Sequence, residues 1–228
     1  GYRPFPWLLG RASYGEGYKV PTLSQTSAPV RVSDTFFNVN NLPLDPFRGG
    51  TAITVPIMPT TTGGNPNLKP EVATGLDVAV ERYLPQGGVL SATAFHRRVQ
   101  NLIRNVTTLE PGVNGRWLSS PQNISEAVTE GLELEAKFRL DQWIADAPHI
   151  DLRNNLSFYR SRVLSVMGPD NRLDQQPSMS ANLGADYKLK SAPLTVGGNL
   201  NYNPGYSTRL SAEQLVMVSQ KRVMDVYG

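Results

Sequence analysis

The chain has no cysteine, so disulfides and cysteine-based metal sites are excluded, and an oxidising compartment is permitted without being required. It has no apolar run of about 18 residues, which excludes a transmembrane helix. It shows no charged-then-apolar leader after Gly1. Histidine is nearly absent: His96 and His149 are the only two, and their wide separation argues against a shared metal site. Charge is sparse, at 18 % of residues, with a net charge of +3 and no basic run. That leaves no footprint for nucleic acid. Apolar residues are also few, at 39 %, low for a thick dry core but too many for a disordered chain.

What the chain has instead is punctuation and alternation. Its 20 glycines and 18 prolines are scattered without a period, which excludes collagen and suggests many short strands. Gly131–Leu140, "GLELEAKFRL", sorts Leu132, Leu134, Ala136, Phe138 and Leu140 to one side and Glu133, Glu135, Lys137 and Arg139 to the other. Only a strand separates them so fully. "SMSANLGADYKL", "PLTVGGNLNYN", "HIDLRNNLSFY" (Asn154 excepted) and "WLLGRASY" sort the same way. "VLSATAFHRRVQNLI" and the terminal "LVMVSQKRVMDVY" offer usable residues on both faces.

The connections carry more information than the strands. Long ones (about 22–70, Arg104–Ile124, Met167–Pro177, Pro204–Gln214) alternate with shorter ones (Pro85–Gly88, Asp141–His149, Lys190–Pro193). A soluble β-sandwich has no reason to keep that order. An outer-membrane barrel does, with short periplasmic turns and long extracellular loops. Alternation alone does not separate the two, since an apolar face meets a core in one and lipid in the other. Small residues on the apolar face, and aromatics near its ends, lean toward lipid.

"GNPNLKPE" (Gly64, Asn65, Pro66, Asn67, Leu68, Lys69, Pro70, Glu71) resembles the turn-and-strand signature of TonB-dependent outer-membrane receptors. In the same order, "RASYGEGYKVPTL", "LDPFRGG", "LSATAFHRRVQNLI" and "NISEAVTEGLELEAKFRL" resemble other elements of that family. The resemblance covers nearly the whole chain. It implies an all-β fold: part of an antiparallel up-and-down transmembrane barrel of about 22 strands with a plugged lumen. About eight strands are expected here, plus a stub at Gly1–Arg3 before a turn at Pro4–Pro6. The family's plug and last strands are missing, so the chain reads as a fragment from the C-terminal half of the barrel, without independent transport.

The function implied is uptake of a scarce nutrient, foremost a ferric siderophore. Energy would come from TonB and ExbB/ExbD-type partners through the plug. A passive porin-type channel and a soluble β-sandwich binding module are the alternatives. Haem receptors of the family carry a ligating histidine between two boxes that here read "YKVP" and "NPNL"; no histidine lies between. No resident cofactor, no metal and no catalytic arrangement is indicated.

Loop residues Arg48, Arg116, Trp117, Arg172, Tyr206 and Arg209 suit an anionic or catecholate iron chelate, by charge and stacking. The competing reading of each is lipopolysaccharide contact or plain solvation. The Glu133–Arg139 ladder reads as a hydrated lumen wall with cross-strand ion pairs. The eight residues from Gly64 to Glu71 read as structural. Gly63–Pro66 turns the chain, and Pro70 holds Lys69 extended where the strand begins.

Overall fold

The computed structural model describes residues 1–33, 60–109, 117–190, 192–210 and 214–228. Its main feature is a nine-stranded antiparallel sheet in the order β1-β2-β5-β6-β9-β10-β11-β12-β15. The strands are β1 (Tyr2–Phe5), β2 (Leu8–Lys19), β5 (Glu71–Tyr83), β6 (Val89–Gln100), β9 (Ala127–Arg139), β10 (Ile150–Val163), β11 (Met179–Lys188), β12 (Thr195–Asn203) and β15 (Lys221–Tyr227). Each pairs with the next one along the chain in this sheet, an up-and-down meander of eight strands and the expected stub. The stub runs one step further than expected. β1 extends through Pro4 to Phe5, and the chain turns at Pro6–Trp7.

Connection length separates the two ends of the sheet. Short turns join β1–β2, β5–β6, β9–β10 and β11–β12 at one end, and the long connections leave from the other. At the short end Gly88 (φ +106°) makes the β5–β6 turn possible; a Cβ there would lie 2.4 Å from the Lys137 carbonyl oxygen. The β9–β10 turn is a 3-10 turn, Leu140–Gln142. The hydrogen-bonded Arg139 guanidinium (Nε–Oδ1 2.7 Å) holds the Asp141 carboxyl below the usual carboxylate range.

The long connections have structure of their own. The first contains helix α1 (Leu23–Ser27), β3 (Arg31–Ser33) and β4 (Thr60–Thr62); the second is a hairpin, β7 (Leu102–Leu109) and β8 (Trp117–Ile124). Together they form a four-stranded sheet, β3-β4-β8-β7. The last connection is the hairpin β13 (Tyr206–Arg209) and β14 (Leu215–Val218). This explains the two stretches that sort poorly, because each is two strands in two sheets. Asn101, at φ +54°, breaks "VLSATAFHRRVQNLI" between β6 and β7, and "LVMVSQKRVMDVY" divides into β14 and β15.

The two faces of the main sheet have opposite fates. Unbroken register aligns Ala12, Val78, Ala94, Leu132 and Phe158 in one cross-strand row. This apolar face is bare: Leu76, Val78, Val80, Leu132, Phe158 and Leu183 are all 40 % exposed or more. Nothing among the described residues packs a second layer on it, so a β-sandwich core is excluded. The dry cluster instead lies on the opposite face at the long-loop end, where Ala127 and Val163 (both 0 % exposed) meet Val166 and Leu173 of the β10–β11 loop.

Lower on that inner face the charges pair across strands, Arg11 with Glu81 (3.2 Å), Arg97 with Asp77 (3.1 Å) and Arg153 with Asp186. The Glu133–Arg139 ladder departs from expectation. Its basic residues pair along the chain, Lys137 with Glu135 and Arg139 with Asp141, because two-residue neighbours on one face lie about 7 Å apart and a lysine or arginine spans that.

Inward-facing Gly131 makes room for Phe95, which is buried beside Tyr159 (centroids 6.1 Å) under the Arg97 guanidinium (4.8 Å). A Cβ on Gly131 would lie 2.6 Å from both the Phe95 ring and the Phe158 carbonyl oxygen. Gly131→Ala is expected to lower the unfolding free energy of the protein by about 2 kcal/mol. In urea titrations Phe95→Ala should then cost less on the Gly131→Ala background than alone. Strict additivity would refute the shared space.

Candidate functional site

The site begins at one arginine. Arg104 on β7 is 4 % exposed and gathers two other loops. Its Nε donates to Asp174 Oδ2 (3.2 Å) and its Nη2 to Asp174 Oδ1 and to the Arg172 carbonyl (3.1 Å). Its Nη1 donates to the carbonyls of Arg209 (3.3 Å) and Leu210 (3.4 Å). The five donors of a guanidinium suit one side chain to such a hub. Further bonds reinforce it: Arg209 N to Asp170 O (2.7 Å), and Thr107 N to Gln214 Oε1 (3.1 Å).

The β10–β11 loop is also tied down onto the inner face. Leu173 N donates to Ser161 Oγ (3.0 Å), Gln176 Nε2 to Thr129 Oγ1 (3.0 Å), and Asn171 Nδ2 to the carbonyls of Val163 and Val166. The loop therefore covers part of the inner face of the sheet.

Below this cap, on the inner face, lies a recess of about 450 Å³, lined by Tyr159, Gln176, Ser180, Asn203, Tyr206 and Lys221 among others. Register places Tyr159, Ser180, Asn203 and Lys221 all on the inner face. A second recess of similar volume opens beside it where β10 outlasts β11, with Asp170, Asn171 and Arg172 on its wall. The Arg172 guanidinium stands 5.9 Å from the Tyr206 ring centroid and 3.6 Å from Asp170. Two phenols, a lysine, an arginine with its partner Asp170, and three carboxamides thus lie on a concave surface, which suits a polar, aromatic-bearing guest.

Of the six loop residues singled out from sequence, the structure brings three together. Arg172 and Tyr206 face each other, and Arg209 flanks them with its Nε on the Pro169 carbonyl (3.2 Å). Trp117 opens β8 in the other loop sheet, paired with Thr60. Arg48 and Arg116 lie outside the described residues. Sequence reading missed Arg104, Tyr159 and Lys221. Both faces of Lys221–Tyr227 carry polar and apolar residues, so alternation does not single out Lys221, and Arg104 carries no signal either.

The "GNPNLKPE" segment is a clasp between loops. Gly64 N donates to Ala28 O (3.0 Å) and Asn65 N to Gln25 O (2.7 Å), docking it on the end of α1. Asn65 Oδ1 accepts from Asn67 N (3.0 Å) in an Asx turn, while its Nδ2 reaches Pro121 O (3.1 Å) on β8. Asn123 Oδ1 accepts from Lys69 N (2.8 Å), and its Nδ2 donates to the carbonyls of Lys69 (3.0 Å) and Asn101 (2.7 Å). The buried Glu71 carboxylate accepts from Ile103 N (2.6 Å) and pairs with Lys19 (3.1 Å).

The profile of the family described as "TonB dependent receptor-like, beta-barrel" matches residues 1–220. The chain belongs to that family. The TonB-dependent receptor barrels lie in the outer membrane, so the bare apolar face of this one meets lipid and its charged face the lumen. The long-loop end is extracellular and the short-turn end periplasmic.

Among curated relatives, the chain is 25 % identical over 205 residues to the heme/hemopexin utilization protein C of Haemophilus influenzae, covering 86 % of this chain and 25 % of that protein. It is 36 % identical over 77 residues to the vitamin B12 transporter BtuB of Vibrio vulnificus, covering 34 % of this chain and 12 % of the transporter. The solved ferric enterobactin receptor PfeA of Pseudomonas aeruginosa superposes with a TM-score of 0.63 at 16 % identity, covering 99 % of this chain and 31 % of that one. At that identity the likeness is one of fold. The chain spans about a third or less of the length of these relatives.

Proposed function

We propose that the chain forms part of the barrel of a receptor that captures a ferric siderophore at its extracellular, lumen-facing recess and takes it up with energy from TonB and ExbB/ExbD-type partners. The observation that carries the reading is the Arg172–Tyr206 pair at the rim of the recess, with Tyr159 and Lys221 on its wall. Cationic and phenolic groups together favour an anionic chelate with aromatic arms over a neutral sugar. The name of PfeA points the same way.

Haem suits this surface less well, although one relative is named for it. Both histidines are elsewhere: His96 lies 3.7 Å from Glu130 on the outward face, and His149 lies 3.3 Å from Asp141 at the periplasmic turn. Neither faces the recess.

The test is uptake of radiolabelled ferric catecholate by iron-starved cells expressing the whole gene product. Arg172→Ala with Tyr206→Ala is expected to weaken ligand binding about tenfold or more, the loss of one charge-assisted contact and one stacking contact. Cells lacking the gene that still import every ferric siderophore offered at the normal rate would refute the proposal.

A further inference from the structure

The two recesses share a wall. Among the described residues, Tyr159 and Gln176 line both of them, and each recess measures about 450 Å³. Arg160, Arg162 and Arg172 line one together with Asp170, while Tyr206 and Lys221 line the other. The Arg172–Tyr206 pair straddles the same divide, with one partner in each recess. Each volume lies in the lower half of the range for small-molecule sites. Each recess therefore suits one arm of a guest rather than a bulky whole.

The wall is held in place from several sides. Tyr159 stands on the inner face of β10, with its backbone N–H on the Ser178 carbonyl (2.9 Å) and its ring against buried Phe95. Gln176 comes from the β10–β11 loop, and the chain on either side of it is constrained. Gln175 adopts a left-handed backbone (φ +57°), a region that residues with a Cβ seldom enter. Pro177 then biases Gln176 toward extended geometry. Across the inner face, Thr129 of β9 is buried and engages both ends of the Gln176 carboxamide. Its Oγ1 accepts from Gln176 Nε2 (3.0 Å), and its hydroxyl donates to Gln176 Oε1 (3.4 Å).

Holding the loop to the sheet would account for the Thr129 bonds, but the Leu173–Ser161 and Asn171–Val163 bonds already do that. Neither of those contacts places a side chain in both recesses. An iron(III) ion held by three bidentate arms is six-coordinate, and the arms stand around it like propeller blades with grooves between them. A wall between two arm-sized recesses matches such a groove. We propose that Gln176, with Thr129 as its positioning residue, determines the specificity of the site. Its side chain and Tyr159 enter the groove between two arms of the chelate, and each recess takes one arm. Gln176 thereby favours a guest whose arms diverge from one centre over a single arm. The proposal rests on the siderophore reading of the site and adds to it the residues that select the shape of the guest.

The test uses the detergent-solubilised whole gene product and two probes. Ferric enterobactin, followed by fluorescence quenching, presents three arms; 2,3-dihydroxybenzoylserine, followed by saturation-transfer NMR, presents one. Gln176→Ala is expected to bind ferric enterobactin about tenfold more weakly, and to bind the single arm as the wild type does. Thr129→Val keeps the shape of the side chain without its hydroxyl and should reproduce that loss, whereas Thr129→Ser should restore wild-type binding. If Gln176→Ala does not fold, Thr129→Val carries the same expectation. Equal weakening of both probes would assign Thr129 and Gln176 to loop stability alone and overturn the proposal. Unchanged binding of ferric enterobactin by Gln176→Ala would overturn it too, with the siderophore reading left standing. A wild type that bound only one of the two probes would contradict arm-sized recesses divided by a fitting wall. A wild type that bound neither would overturn the siderophore reading and this proposal with it.

Discussion

Arg104→Ala is expected to release the extracellular loops and to abolish high-affinity ligand binding while leaving the membrane-spanning sheet folded. The guanidinium is buried, and no other described side chain donates to the Asp174 carboxylate and to carbonyls of both the β10–β11 loop and the β13–β14 hairpin. Its removal leaves Asp174 without a partner and three carbonyls short of a donor. The cost should be about 3 kcal/mol, the low end for breaking a buried pair, because the Asp174 side chain is itself 45 % exposed and regains water. Hydrogen exchange at 164–178 and 204–210 should rise steeply, while exchange in β5, β6, β9 and β10 stays slow. Arg104→Lys keeps the charge but cannot reach four acceptors, so it should rescue little. If both variants bound ligand normally and the loops stayed protected, Arg104 would not be the hub described above.

Gly64→Ala has the second-largest expected effect, at a different junction. A Cβ at this position would lie 2.6 Å from Ala28 N and 3.0 Å from Ser27 N and from the Thr26 carbonyl carbon, all of them backbone atoms. No rotamer relieves such a contact; α1 itself must move. The bonds from Gly64 N to Ala28 O and from Asn65 N to Gln25 O go with it, a loss of about 2 kcal/mol. Protease should then cut the first long loop in whole cells, with β5 remaining protected. A loop that resisted protease as well as the wild type would show that the close approach is not needed.

These two positions differ in how visible they are beforehand. Gly64 stands in a run of turn-forming residues, and a structural role for "GNPNLKPE" follows from Gly, Asn and Pro chemistry. Where that run docks does not follow: Gln25, Ala28, Pro121 and Asn123 come from segments up to 56 positions away from the residues they bond. Arg104 sits in "NLIRNV" with no periodicity to mark it as buried. Its partners, Arg172, Asp174, Arg209 and Leu210, are about 70 to 105 positions later in the chain.

Local alternation determined the strands of the main sheet, because a period of two has one physical solution in which Glu133 and Leu134 reach different solvents. Turn chemistry and the order of long and short connections determined which end is which. Only the tertiary structure decided that the apolar face stays uncovered, since a sandwich core and a lipid belt present the same residues. It also decided that the long connections are folded hairpins and that Arg172, Tyr206 and Arg209 meet around a buried arginine. Those facts depend on contacts between residues far apart in the chain, and such contacts leave no period in the sequence.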